Sequence, residues 1–244
     1  MTKLSIFPTI GMVLKNTFKE IYQSFSYSAL TGIFSATFYI PILLIIFGTF
    51  SIISESAKKT IAASELVSIF LWGLILAAIW NTLVAAPVTT AFYSLWQNKK
   101  ENYPGFKTFF VLLWKNYRAS FAVNGLFSFT FILLLMNVML ALIERTTLMV
   151  VIGIFSFYLL LFISLMSFYF APLIHLNNGI KKTVKKAFLL AMDNTGLTIC
   201  LMLLLGILFV LSLLLPVIWF LIYGAILVYV TDFSFNAIYG RYDI

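Results

Sequence analysis

The sequence predicts an all-α, polytopic membrane protein with six transmembrane helices and three amphipathic helices at the membrane interface. Of its 244 residues, 62% are hydrophobic and 10% charged, whereas soluble domains contain about 45–50% apolar and about 25% charged residues. The mean hydropathy is +1.05. Uncharged runs long enough to cross a membrane alternate with short segments that carry most of the charges. We therefore expect one domain embedded in lipid.

The first amphipathic helix lies close to the N-terminus. Thr9 is its predicted N-cap, and apolar residues recur at helical spacing from Ile10 to Phe25 while lysines occupy the other face. Two interpretations stay open, because such a helix either lies in the membrane interface or packs against the rest of the protein. The N-terminal segment lacks the basic start and compact apolar core of a cleavable signal peptide, so we expect it to be retained.

Two uncharged runs predict the first two spans. The first span is predicted at 29–53, with a kink at Pro41 because proline cannot donate a backbone hydrogen bond. A short polar loop separates it from the second span, predicted at 66–86. A bent and more polar continuation is expected after Pro87.

The second amphipathic helix is predicted at 105–118, after the turn signal Asn-Tyr-Pro-Gly, and it feeds a third span at 120–143. A short charged link then predicts a tight antiparallel hairpin with the fourth span. That span lies in the uncharged run 146–180, which exceeds one crossing and holds a further kink candidate at Pro172.

The third amphipathic helix is predicted at 179–192, with the sequence GIKKTVKKAFLLAM. The uncharged run 194–231 follows and would be about 57 Å long as one helix, nearly twice the thickness of a hydrocarbon core of about 30 Å. We therefore divide it at Pro216 into spans at 196–215 and 216–236. If Pro216 merely kinked one helix, five spans would remain and the C-terminus would lie outside.

Basic residues predict the orientation of the spans. The N-terminus, the segments 97–118 and 177–193, and the C-terminus hold thirteen Lys and Arg residues, and the intervening loops hold three. Since Lys and Arg favour the cytoplasmic side, we expect a multi-pass protein of the cell membrane with both termini in the cytoplasm. This topology accounts for the net charge of +8, so nucleic-acid binding is not expected.

The amphipathic helices also indicate an internal repeat. FKEIYQSF at 18–25 aligns without gaps with WKNYRASF at 114–121, and Gly179 aligns with Gly105 in the third helix. We predict that the single domain, residues 1–244, contains three units at 9–86, 105–171 and 179–240, each an interfacial helix followed by a membrane hairpin. The alternative is a coincidence of amphipathic periods.

The sequence lacks the usual signatures of an enzyme. It has one histidine, one cysteine, no HExxH or GxSxG motif and no phosphate-binding glycine loop. We expect no enzymatic activity, no cofactor and no metal site. Asp232 is a candidate intramembrane polar residue because a buried charge is costly there; the simpler interpretation places it at the cytoplasmic interface, wetted or paired with Arg241. His175 is a second candidate, or a boundary residue that contacts headgroups.

Basic side chains on two amphipathic helices are candidates for binding anionic lipid headgroups or an acidic partner protein. They are Lys107, Lys115, Arg118, Lys181, Lys182, Lys185 and Lys186. The alternative is that they only anchor the topology. Pro87 and Pro172 lie at the expected cytoplasmic ends of the second and fourth spans, where bends are candidates to line a cavity or a docking groove.

The stretches APVTTAFYSLWQNKKENYPGFKTFFVLLWKNYRASF and FYFAPLIHLNNGIKKTVKKAFLLAMDN, with the final apolar hairpin, resemble the YesL-type family of small bacterial membrane proteins. The resemblance covers roughly residues 81–239 and implies an accessory role beside a carbohydrate ABC uptake system. From the residues we favour a non-catalytic accessory or scaffold subunit, with an autonomous small-solute permease as the alternative. Asn81, Asn124, Asn137 and Asp232 are few and scattered, which disfavours a polar path.

Overall fold

The computed structural model describes residues 5–57, 63–99, 106–144, 146–214 and 222–240. All regular structure in these residues is helical, which confirms the all-α class. The elements in chain order are α1 (Ile6–Gln23), α2 (Phe25–Ala57), α3 (Ala63–Trp80), a π-helical turn (Asn81–Ala85), α4 (Ala86–Lys99), α5 (Phe106–Glu144), α6 (Thr147–Ser167), α7 (Phe170–His175), α8 (Ile180–Asp193), α9 (Thr195–Leu214) and α10 (Gly224–Tyr239).

Several helices are long and apolar enough to cross a membrane. Three segments meet this condition on their own: Val67–Asn98, Lys107–Glu144 and Thr147–Ser167. A fourth is formed if α8 and α9, which meet at a bend of 95°, are counted as one broken span. Length and composition of the described helices therefore support three to four spans.

The first amphipathic helix begins before its predicted N-cap. Ser5 is the N-cap, and Thr9 lies inside α1, where its Oγ1 donates to the Ser5 carbonyl oxygen at 2.8 Å. The prediction of Thr9 as N-cap is wrong because the helix extends one turn further upstream. One face of α1 packs inward through Val13 and Ile21, whereas Phe7 and Tyr22 are 86% and 87% exposed. The helix thus packs against the protein and keeps an exposed aromatic flank.

The second amphipathic helix is not a separate element, which corrects the prediction of three. It forms the first part of α5, a continuous helix of 39 residues and about 58 Å. The chain leaves the helix at Ser24 (φ −125°, ψ 41°) and at Asn194 (φ −120°, ψ 27°), the two positions that align with Ser120. Ser120 itself stays helical because the side chains that α5 packs against α4 follow an unbroken four-residue spacing across this point.

Pro87 is accommodated by the π-helical turn that precedes it. Proline cannot donate to the carbonyl oxygen of Leu83, four residues upstream. Tyr117 Oη donates to this oxygen instead, at 3.2 Å. The chain stays helical through Pro87, and Val67–Asn98 runs on as one candidate span. The bend expected after 66–86 stays a prediction.

The other prolines behave differently from one another. Pro41 lies within α2, which continues through it. Pro172 lies in the short helix α7, after the chain has left the helical path between Ser167 and Phe170. Pro216 lies outside the described residues, so the division of the last apolar run stays a prediction.

Two halves of the molecule differ in packing. The basic half contains α1, α4, residues 106–123 of α5, α7, α8, residues 195–201 of α9, and α10. It holds most of the large side chains that are fully buried, among them Leu173, Leu190, Leu201 and Tyr229. The apolar half contains residues 40–54, α3, residues 124–144, α6 and residues 202–214. Its helices are largely exposed, although α6 approaches α5 closely where Gly153 faces Ala141.

The three proposed units contact one another in a cycle. From the first unit, α3 and the π-helical turn pack on α5 of the second. From the second unit, α6 packs on α8 of the third, and α10 of the third unit packs on α1 and α2 of the first. Each unit thus closes against the first helices of the next. The threefold repeat stays a prediction, and this arrangement is the one it leads us to expect.

Candidate functional site

Asp232 is completely buried, on the face of α10 that packs against α4. Its Oδ2 accepts from Trp96 Nε1 at 2.9 Å, and its Oδ1 accepts from Tyr93 Oη at 3.1 Å. Gln97 Nε2 also donates to Oδ1, as does Asn236 Nδ2 at 2.8 Å. Residues 93, 96 and 97 share one face of α4, which explains why one helix supplies three of these donors.

The expectation of a wetted Asp232 at the interface is wrong, because α4 covers the carboxylate. Four uncharged donors are aimed at it, and such donors stabilise a carboxylate away from water. Asn236, expected one turn away from Asp232, is one of them. Arg241, the other expected partner, lies outside the described residues.

His175 faces the protein interior. Its Nδ1 lies 3.0 Å from Ser94 Oγ, which also accepts from Asn116 Nδ2 at 2.9 Å. The imidazole ring meets the edge of Tyr93 with centroids 5.8 Å apart. His175 therefore joins α7 to α4 through Ser94, which Asn116 links in turn to α5. The side chain is half-buried, so its contact with headgroups stays a prediction.

A hydrogen-bonded ladder joins the second span and its continuation to α5. The rungs are Thr82 with Ser128 at 3.0 Å, Thr90 with Ser120 at 3.2 Å, and Ser94 with Asn116 at 2.9 Å. On both helices the positions are separated by multiples of four residues, and the two sets run antiparallel. We call these six residues the polar ladder. At the level between the first two rungs, Ala86 lies opposite Asn124 and supplies no polar group.

Two tyrosine hydroxyls make similar bonds at the other junctions between units. Tyr169 Oη lies 2.5 Å from Thr198 Oγ1, and Tyr229 Oη lies 2.9 Å from Ser28 Oγ. Thr198 and Ser28 each lie four residues after a point where the chain leaves the helix. Each bond thus joins a tyrosine to a small hydroxyl residue, and all four side chains are at most 1% exposed.

Two cavities lie where the polar ladder is interrupted. The first, of about 430 Å³, is lined by residues of all three units, including Asn81, Thr90, Tyr93, Asn124 and Thr231. The second, of about 410 Å³, lies between α2, α3, α5 and α6. Both have the size of common small-molecule pockets, about 300–1,000 Å³. Asn81 and Asn124, far apart in the sequence, line both cavities.

The candidate basic residues do not gather into one site. Lys107, Lys115 and Arg118 are exposed on α5, and Lys181, Lys182 and Lys185 are exposed on α8. Lys186 is half-buried instead: its Nζ donates to Tyr239 Oη at 3.2 Å and lies 5.6 Å from the centre of that ring. Lys186 therefore ties α8 to α10.

The described groups offer little for covalent chemistry. Ser94 and His175 resemble a nucleophile and its base, but Ser94 is 0% exposed and lines neither cavity. Within the described part of the chain, no three His, Cys, Asp or Glu residues lie close enough to hold a metal ion. The arrangement is suited to hold helices together.

The fold and its interior define an all-helical protein with helices able to cross a membrane and a polar interior at one end. Within that class, no protein-family model, curated protein or solved structure matches the chain. The resemblance to the YesL-type family therefore stays a prediction.

Several interior residues were not among the sequence candidates. The signal for the polar ladder is present, since Asn116, Ser120, Asn124 and Ser128 recur every four residues through an otherwise apolar helix. Thr82, Thr90 and Ser94 carry the matching period. The pairing of Tyr169 with Thr198 and of Tyr229 with Ser28 has no such local signal, because it joins positions 29 and 201 residues apart.

Proposed function

We propose that the protein is a non-catalytic multi-pass protein of the cell membrane, with six spans and both termini in the cytoplasm, that serves as an accessory or scaffold subunit of a membrane transport system. The observation that carries this proposal is the outward face of α8, a row of exposed cations on a well-packed support. Carbohydrate uptake through an ABC transporter is implied by the family resemblance alone.

The basic face of α8 is held in a fixed orientation. Thr183, Ala187 and Leu190 face the core and are at most 1% exposed, so Lys181, Lys182 and Lys185 necessarily point outward. Lys186 anchors the helix to Tyr239. Because the helix that carries these lysines is held rigidly, the protein loses little conformational entropy when they bind a ligand. This favours binding to a protein partner or to an anionic membrane surface.

The bend between α8 and α9 supports the proposed topology. The two helices meet at 95°, so α8 lies along the membrane plane if α9 crosses it. Lysines then sit at the headgroup level on the side where basic residues are favoured. Orientation can be measured by adding single cysteines in a Cys200→Ser background and labelling intact cells with an impermeant thiol reagent.

Purification from native membranes in mild detergent tests the accessory role. We expect an ABC permease or ATPase to co-purify in stoichiometric amount and to be lost, by about tenfold, in the Lys181→Gln/Lys182→Gln/Lys185→Gln variant. The control is Lys15→Gln/Lys19→Gln, which removes exposed cations from α1. A protein that purifies alone from native membranes, or equal recovery of the partner with both variants, would contradict the proposal.

A small-solute permease is the second candidate. It is favoured by one observation, the convergence of Asn81 and Asn124 on both cavities. Proteoliposomes that contain the purified protein are expected to swell in glycerol or glucose if this candidate is right. Swelling rates equal to those of protein-free liposomes would exclude it for these solutes.

A further inference from the structure

The two cavities adjoin one another. They share the four lining residues Asn81, Asn124, Ser167 and Phe170, which lie at the boundary between the basic half and the apolar half. The first cavity extends from this boundary toward Tyr93 and Thr231. The second extends from it along α3 and α5 into the apolar half. The two cavities thus adjoin at these residues, the first in a more polar and the second in a more apolar environment.

The missing rung of the polar ladder explains the position of this space. At this level Ala86 replaces a polar residue, so Asn124 has no partner on the facing helix. Its Nδ2 donates back along α5, to the carbonyl oxygen of Ser120 at 2.9 Å and to Ser120 Oγ at 3.3 Å. The small side chain of Ala86 leaves room where the other rungs fill the interface.

Hydrogen-bonding capacity remains open at this point. Asn124 Oδ1 accepts no hydrogen bond from a described residue, and the Asn81 amide makes none with the described part of the chain. Both side chains are half-buried, so a ligand group that both donates and accepts would satisfy them. No described residue that lines either cavity is charged. These features select an uncharged hydroxyl group over a phosphate or a carboxylate.

The second cavity offers few further polar groups. Apart from the shared residues, its polar lining consists of Ser128 and Ser164. Ser128 Oγ accepts from Thr82, and Ser164 Oγ donates to the Leu160 carbonyl oxygen at 2.9 Å. The remaining lining is apolar: Ile42, Leu74, Ala77, Ala78, Phe127, Phe131, Ile132 and Ile163. A hydrocarbon chain fits this wall, whereas a hydrophilic solute would lose its hydration without compensation.

We propose that the two cavities form a single binding site for a one-chain amphiphile with an uncharged hydroxyl head, of the monoacylglycerol type. The head binds at the missing rung, where a hydroxyl donates to Asn124 Oδ1 and a second oxygen meets the Asn81 amide. The chain occupies the second cavity. The ligand enters from the membrane, since the second cavity lies in the apolar half.

Native mass spectrometry of the full-length protein in detergent, with monoolein as the probe, tests this site. The wild-type chain is expected to retain one monoolein. Asn124→Leu is expected to weaken retention about tenfold, the equivalent of the lost hydrogen bonds. The matched control is Asn137→Leu, the same substitution on the same helix outside both cavities, which is expected to bind like the wild type.

A second variant keeps the test decisive if Asn124→Leu fails to fold. Ala171→Leu adds volume to the lining of the first cavity and is expected to displace the head. Equal retention by wild type and both cavity variants would overturn the proposal, because monoolein would then bind only the outer surface. Competition by glycerol alone would identify a site for a soluble solute instead. Binding of ionised oleate as tight as that of monoolein would contradict the uncharged head.

Discussion

The basic half and the apolar half use the same residue types for different purposes. In the basic half, apolar side chains are buried against one another, and the core includes Val13, Trp96, Leu173 and Tyr229. In the apolar half, the most hydrophobic stretch of Lys107–Glu144 has none of its residues buried within the protein. Hydrophobic residues are therefore buried in the first region and largely unburied in the second.

This contrast is the one expected if the apolar half lies in lipid and the basic half next to water. Next to water, burial of apolar surface drives packing. In lipid, apolar side chains gain little from leaving their surroundings, and helices associate through small residues and hydrogen bonds. The pairing of Thr82 with Ser128 and the contact of Gly153 with Ala141 join α5 to its neighbours in this way. The basic half is thus the part whose stability depends on its interior contacts.

The largest effect is expected from Asp232→Ala, in the basic half. The substitution leaves the buried donors of Tyr93, Trp96 and Gln97 without their acceptor, and we expect a loss of about 4 kcal/mol in the free energy of unfolding. Denaturant titration in detergent micelles measures it. Glu144→Ala, an exposed carboxylate at the end of α5, is the control, with an expected change within about 0.5 kcal/mol.

Asp232→Asn refines this test. It keeps one acceptor oxygen but turns an N–H₂ group toward a donor, so an intermediate loss is expected. If Asp232→Asn and Asp232→Ala both left stability and function unchanged, the carboxylate would be no more than an interface residue.

Two leucines on α9 test the boundary between the halves directly. Leu201 is 0% exposed and Leu203 is 62% exposed, although they are two residues apart in the same apolar run. We expect Leu201→Ala to lower the free energy of unfolding by about 3 kcal/mol. Leu203→Ala should change it by about 0.5 kcal/mol or less. Similar losses at both positions would show that the apolar half is packed like the basic half.

The sequence was sufficient for features with a local signal. The third amphipathic helix was predicted at 179–192, and α8 spans Ile180–Asp193 with Gly179 as its N-cap. Its lysines alternate with small and apolar residues at helical spacing, which determines both the helix and its inward face. Asp232 was recognised as a candidate from its position in an apolar run alone.

Features that depend on long-range packing were not predictable in the same way. The break expected between the second amphipathic helix and the third span is absent, because Ser120 packs against Thr90 within a continuous helix. The donors to Asp232 on α4 are 135–139 residues away in sequence. A charge count places Asp232 near the membrane boundary, but only the packing of α4 on α10 buries it.

The smallest expected effect concerns one rung of the polar ladder. Thr90 and Thr130 both donate to the carbonyl oxygen four residues upstream, at Ala86 and Leu126, but only Thr90 also contacts Ser120 Oγ. Valine keeps the shape and removes the hydroxyl, so Thr90→Val should cost about 1 kcal/mol, the typical net value of a hydrogen bond inside a protein. Thr130→Val should cost less. A double-mutant cycle with Ser120→Ala isolates the rung. A coupling energy of zero would mean that this hydroxyl pair does not hold α4 to α5.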